Sequence, residues 1–259
     1  EERRGNGRHG SCGLGFGETI QRNLNPEYAL DFNGLKNKTL LRDKIYAISK
    51  NYFMLRCAEL GIQPTEKEIA LNSNTNLLER FVKDARSMYY TCIPDDDNHV
   101  LYKADQIVFE GAQGLLLDQD YGDFPHVTRS NTGLKNMLEI CKENNIRELD
   151  ATYVTRNYLT RHGAGPLKGE VPKLSYVDVV DETNIPNKHQ GSLRFADLDI
   201  PFLKTTIEHD LKYIDGSGVT VKPNLAVTCL DQLIESGDGD FVGDRIAHLV
   251  GMSENLLKS

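Results

Sequence analysis

Residues 106–133 read QIVFEGAQGLLLDQDYGDFPHVTRSNTG and concentrate side chains suited to holding an organic phosphate. Gln113, between small residues just after an apolar run, can lay its amide across a ligand edge and donate and accept at once. The same amide could instead stabilise its own loop. Thr128, Arg129, Ser130 and Asn131 supply hydroxyl and guanidinium donors of the type that bind phosphate oxygens. They also read as the capped start of a helix at Leu134. Asp118, Asp120 and Asp123 are carboxylates within metal-binding distance in sequence. Their spacing lacks the Gly and terminal Glu of a calcium loop, so a solvated loop is expected. His126 and His162 are the nearest histidines; neither has a partner in sequence, and both are read as structural or supporting groups.

A second candidate is GSCGLGFG, Gly10 to Gly17, with enough glycine for backbone N–H groups to close around a phosphate. A flexible surface loop has the same composition. It is not a P-loop, because no Lys-Ser or Lys-Thr follows it, and no G-x-x-x-x-G-K-[ST] occurs elsewhere.

Elements must position these groups. Leu40 to Leu60 has apolar residues at helical spacing, with Gly61 placed to stop it. Thr65-x-x-Glu68 and Asn76-x-x-Glu79 look like capping boxes, the second opening a helix over Leu77 to Tyr90. Pro94 to Asn98 is a turn. Gln106 to Phe109 reads as a strand, Leu134 to Glu143 as a helix and Leu149 to Thr155 as a second strand. Further on, Leu174 to Val180 reads as extended, Ile200 to Leu211 as helical, Leu225 to Leu230 as a buried strand and Gly243 to Leu257 as helical. This alternation predicts an α/β fold with a mostly parallel central sheet flanked by helices, its strands buried on both faces. No repeat or composition break marks a linker, so residues 1–259 are expected to form one domain, N-terminally incomplete. Ligands in such sheets bind beyond the carboxyl ends of the strands, where EGAQG, TRNYLTRHGAGP and TCLDQL fall.

Composition narrows the class. The chain has 39% hydrophobic and 26% charged residues, as globular proteins do, and a net charge of −8 that argues against a broad nucleic-acid footprint. No apolar run is long enough to span a membrane. The five cysteines are odd in number, scattered and without a C-x-x-C pair, which fits a reducing cytoplasm better than disulfides or zinc.

Four segments in order, GSCGLGFG, FEGAQGLLLDQDYGDFPHVTRSNT, YLTRHGAGPL and VTCLDQL, resemble the motifs of the adenylosuccinate synthetase family. The resemblance implies a P-loop NTPase-related α/β fold. It also implies a cytoplasmic homodimeric ligase that joins L-aspartate to IMP, using Mg2+ and a nucleoside triphosphate, GTP or ATP. The 6-oxygen of the purine is phosphorylated, and the aspartate amino group then displaces that phosphate. By the same resemblance, Gln113 contacts the purine monophosphate, while Thr128 and the Gly10 to Gly17 loop, with Cys12 and Gly13, hold its 5′-phosphate. Thr228 and Asp231 read the base of the triphosphate. Arg194, in HQGSLRFADLD, belongs to the aspartate-binding loop. Arg22 corresponds to the arginine lent across the dimer interface to the neighbour's phosphate.

The departures are specific. The family's Gly-Asp-Glu-Gly-Lys-Gly-Lys loop, which brings a catalytic Asp and a magnesium ligand, is absent, as is its catalytic His. Catalytic groups and metal ligands are therefore expected upstream of Glu1, with none in this chain; the other reading is a catalytically inactive nucleotide-binding relative. Cys12 replaces a Thr, and Cys229 replaces a Lys whose stem packs over guanine. A weak choice between GTP and ATP is expected from this, and it would also suit a phage-type enzyme acting on dGMP.

Overall fold

A computed structural model of the chain describes residues 3, 9–92, 99–179, 184–186, 189–233, 243, 244, 247, 248 and 251. The turn expected at Pro94 to Asn98 lies wholly outside them, as does most of the helix expected over Gly243 to Leu257. Packing divides the chain into two compact units: residues 1–8 with 14–103, and residues 9–13 with 104–259.

The first unit is helical. Its elements are α1 (Phe16–Asn23), α2 (Lys38–Ala47), α3 (Phe53–Glu59), α4 (Glu66–Asn72), α5 (Thr75–Thr91) and α6 (His99–Lys103). The helix expected over Leu40 to Leu60 is α2 and α3, joined by a π-helical segment at Ile48–Tyr52. It stops at Gly61, where Ile62 N–H donates to the Cys57 carbonyl at 2.9 Å and Gly61 N–H to that of Ala58 at 3.0 Å, a Schellman closure. Thr65 and Glu68 form the expected capping box at α4. The second predicted box is corrected. Asn74 caps α5, accepting from Asn76 and Leu77 N–H, so Asn76 is already inside the helix. Glu79 instead accepts from Arg42 Nε and Tyr46 Oη. Leu41, Ile45 and Val82 form the core between α2 and α5, with Leu35 beside them.

The second unit is α/β. Helix α7 (Lys135–Glu143) precedes β1 (Glu148–Arg156), β2 (Tyr158–His162), β3 (Glu170–Val171) and β4 (Leu193–Asp197); α8 (Ile200–Leu211) and β5 (Thr220–Thr228) follow. β1 and β5 pair in parallel, from Glu148 opposite Thr220 to Arg156 opposite Thr228. The other sheet is antiparallel, in the order β2-β4-β3.

Two expectations are corrected here. Gln106 to Phe109 forms no strand. Phe109 still packs against the Leu134, Leu138 and Ala151 cluster, while Val108 is 89% exposed, so the apolar run reflects one buried anchor rather than a ladder. And β1 is not buried on both faces: Glu148, Asp150, Thr152 and Val154 alternate outward while Ala151 and Tyr153 face inward. A period of two in a parallel strand reports one covered face. Of the segment expected to be extended from Leu174 to Val180, whose last residue lies outside the described ones, the described residues form a single bridge, Val177 to Leu233.

Candidate functional site

The 113–132 loop is organised by Asp118. Far from solvated, this carboxylate is 6% exposed. It accepts the N–H groups of Asp120 at 2.8 Å and Thr132 at 2.7 Å, and the Asn131 amide at 3.3 Å. Its backbone carbonyl accepts from Gly122, and two further backbone bonds, Gln119 N–H to Ser130 O and Thr128 N–H to Leu117 O, zip the loop shut. The Phe124–Pro125 peptide within it is cis. A buried carboxylate gathering backbone donors satisfies them and its own charge together. Asp120 is also engaged, bonded to Asn131 and to Lys135 Nζ at 2.7 Å, and these contacts hold its pKa below the usual carboxylate range. Gln113 is exposed and Thr128 half-buried.

The end of this loop is fixed from the opposite side by Asp210 of α8. Asp210 accepts the Leu134 N–H at 3.0 Å and the Tyr153 hydroxyl at 2.8 Å, and it is 4% exposed. Burial pushes its pKa up, against the lowering effect of these two bonds. Thr132 and Leu134 thus donate to two different buried carboxylates. Gly133 lies between them, and a Cβ there would sit on the Asp210 carboxylate; only glycine leaves that space.

The start of the glycine segment meets this region although it is distant in sequence. His126 Nδ1 lies 3.1 Å from the His9 carbonyl, and Arg161 Nη2 donates to the His126 carbonyl at 2.7 Å. Gly10 and the Gly163–Ala164 backbone approach so closely that a Cβ on Gly10 would lie 2.5 Å from Ala164 N, and one on Gly163 2.8 Å from the Gly10 carbonyl. GSCG, DFPHV and RHGAG, three of the segments singled out by sequence, therefore converge. Cys12 and Gly13 are exposed there, and a Cβ on Gly13 would lie 2.8 Å from the His189 ring.

Arg194 stands directly opposite Arg161 in the β2–β4 ladder. It is ion-paired with Glu170 on β3 and donates to the carbonyls of Gly163 at 3.0 Å and Gly165 at 2.8 Å. The pair holds the Glu170 pKa down and raises that of Arg194, while burial and the Arg194 charge lower that of Arg161. Two guanidiniums side by side repel; among the described residues Arg194 is in a direct ion pair with Glu170, while Arg161 feels the Asp123 charge without a direct ion pair. Sequence reading passed over Arg161, Glu170 and Asp210, because their roles depend on strand register and on a long-range clamp, and it took Asp118 for part of a solvated loop.

At the carboxyl end of the parallel pair, Thr228 Oγ1 donates to the Thr155 carbonyl at 3.2 Å. Cys229 takes a left-handed backbone, φ 61°, and its carbonyl accepts from the buried Asn157 amide. That turn leaves Asp231 exposed in the one-turn 3-10 segment Leu230–Gln232, beside Gln232, whose side chain accepts from Tyr158 Oη at 2.9 Å. Arg22 belongs to the helical unit, where it is half-buried near the end of α1 and donates to Asn23 Oδ1. His162 Nε2 lies 3.1 Å from the Gly191 carbonyl.

Among the described residues no group of three or more His, Cys, Asp or Glu side chains could hold a metal ion. The nearest carboxylates, Asp118 and Asp120, are committed to Thr132, Asn131 and Lys135. The described residues do not fit a magnesium site. No helix among the described residues is long and apolar enough to cross a membrane.

A family model described as adenylosuccinate synthetase matches residues 1–193. Among curated proteins, the chain is similar to adenylosuccinate synthetases of Clostridium botulinum (strain Eklund 17B / Type B), at 31% identity over 67% of this chain and 37% of that protein, and of Anaplasma marginale (strain St. Maries), at 28% identity over 66% and 38%. It spans less than two-fifths of the length of either. The fully ligated adenylosuccinate synthetase structure from Plasmodium falciparum aligns over 90% of this chain and 56% of its own, with a TM-score of 0.53 at 18% identity, a likeness of fold.

Proposed function

The chain belongs to the adenylosuccinate synthetase family, and from that membership we propose that it serves a ligase of purine nucleotide biosynthesis joining L-aspartate to IMP, coupled to GTP hydrolysis. The observation that carries this reading is the convergence of the Gly10–Gly13, Phe124–Thr128 and Arg161–Gly165 segments in one place, with the Asp118-organised loop leading into it. In this reading Gln113 orients the purine, and the Thr128 hydroxyl with the Cys12 and Gly13 backbone holds the 5′-phosphate.

Arg161 and Arg194, facing each other across β2 and β4, suit a co-substrate with two carboxylates, and a dianion there would relieve their repulsion. Thr228 and Asp231 take the guanine, the carboxylate accepting from N1–H and the 2-amino group. Arg22 acts across a homodimer. Magnesium in this family supports phosphoryl transfer; the described residues form no site for it.

The test is calorimetric titration of the chain with IMP. Gln113→Ala and Thr128→Ala each remove a polar contact worth about 1.5 kcal/mol or more, so each should weaken binding by about tenfold or more. Wild-type affinity in both variants would reject the reading.

A further inference from the structure

Apart from these motifs, the helical unit carries a groove of about 460 Å³ between one face of α5, with Val82 at its base, and the first turn of α2. We propose that this groove binds a compact phosphate-bearing anion.

Glu79, Lys83, Arg86, Ser87 and Tyr90 recur at helical spacing and so share one face of α5, and Lys38 reaches the same groove from α2. Three cationic groups thus border it against one carboxylate. That carboxylate is already committed, because Glu79 accepts from Arg42 and Tyr46. Neither Lys83 nor Arg86 has a carboxylate partner among the described residues.

Arg86 provides the most specific sign. Its Nη2 donates to Tyr90 Oη at 2.9 Å and its guanidinium lies 5.5 Å from the Tyr90 ring centroid, so the side chain is held in place. Its Nε is shielded from solvent and has no hydrogen-bond partner. A guanidinium fixed in this way brings its charge to the groove wall at no further ordering cost, and an anionic oxygen makes the strongest acceptor for it.

The arrangement favours phosphate over carboxylate. Cations arriving from two helices, with the Ser87 hydroxyl beside them, match the three terminal oxygens of a phosphoryl group better than the two coplanar oxygens of a carboxylate. A groove of this volume takes a small molecule, and the net charge of −8 makes the cationic patch local, unlike the broad field that collects nucleic acid.

The experiment titrates the full chain with inorganic pyrophosphate at constant ionic strength, following the Arg86 Nε–H resonance by NMR and the affinity by calorimetry. The resonance, identified by its loss in Arg86→Lys, should shift saturably. Lys83→Gln, at an exposed site, should weaken this binding about fivefold, and Arg86→Lys about tenfold. Thr128→Ala, in the other unit, should leave the Arg86 titration unchanged. Tighter binding of ADP than of pyrophosphate would assign the phosphate to a nucleotide, and equal binding to the inorganic anion; both uphold the site. The proposal is overturned by a shift that chloride reproduces, by affinities unchanged in both Lys83→Gln and Arg86→Lys, or by citrate binding as tightly as pyrophosphate.

Discussion

Asp210 is the most exacting place to perturb the second unit, because one buried carboxylate there serves both Leu134 N–H and the Tyr153 hydroxyl. Asp210→Ala strands both donors. An unpaired buried polar group costs about 1–3 kcal/mol, so the loss should be near 3 kcal/mol. Asp210→Asn keeps an oxygen for Leu134 N–H and turns an N–H toward a hydroxyl that can also accept, so it should cost less than about 1 kcal/mol at neutral pH. Tyr153→Phe removes one charge-assisted bond, about 1.5–3 kcal/mol.

The pH dependence has a definite sign. Burial raises the folded pKa of Asp210 above its unfolded value, so this group favours folding when protonated. Its contribution declines as pH rises from the ordinary carboxylate range through the raised value. Asp210→Asn should abolish that decline, becoming relatively more stable than wild type as pH rises. Urea unfolding at several pH values, with amide exchange at Leu134 as the local probe, measures both effects. Equal costs for Asn and Ala, or an Asn variant that follows the wild-type pH profile, would refute the clamp.

Gly133→Ala should destabilise by about 3 kcal/mol, because its Cβ would occupy the Asp210 carboxylate position; thermal melts of Gly133→Ala, Asp210→Ala and the double variant should show a shared, non-additive cost. Asp231→Ala should weaken GTP binding about tenfold or more in calorimetry and leave IMP binding unchanged. Arg194→Lys should raise the KM for aspartate more than that for IMP in the active enzyme, since a lysine cannot reproduce the fork now on Glu170. Equal effects on both substrates would count against Arg194 as an aspartate ligand.

The helices were largely legible in the sequence. Periodicity and end signals marked α2 with α3, α7 and α8, and the Thr65–Glu68 box marked α4. The β1 alternation was there to be read as well, but α/β rhythm suggested two covered faces where Glu148, Asp150 and Thr152 report one. Gln106 to Phe109 misled because a short apolar run does not distinguish a strand from an anchor such as Phe109. Asn74 and Asn76 are equally good caps by residue type; Leu41 and Ile45 packing against Val82 decides where α5 lies, not which asparagine starts it. For the candidate site, motif residues such as Gln113 and Thr128 could be proposed from the sequence. The contacts that organise the surrounding segments could not, since Arg161 meets Arg194 only through ladder register, and Asp210 reaches Leu134 only through the tertiary fold.

Asp118 closes its loop onto Thr132 within a short stretch of chain. The entropy lost in joining two points grows only as the logarithm of the intervening length, so a local tie of this kind is inexpensive. Folding therefore bears the ordering cost of the loop that carries Thr128. On the proposed reading, a nucleotide bound at Thr128 would meet donors already fixed in direction, and more of its contact energy would remain available as affinity.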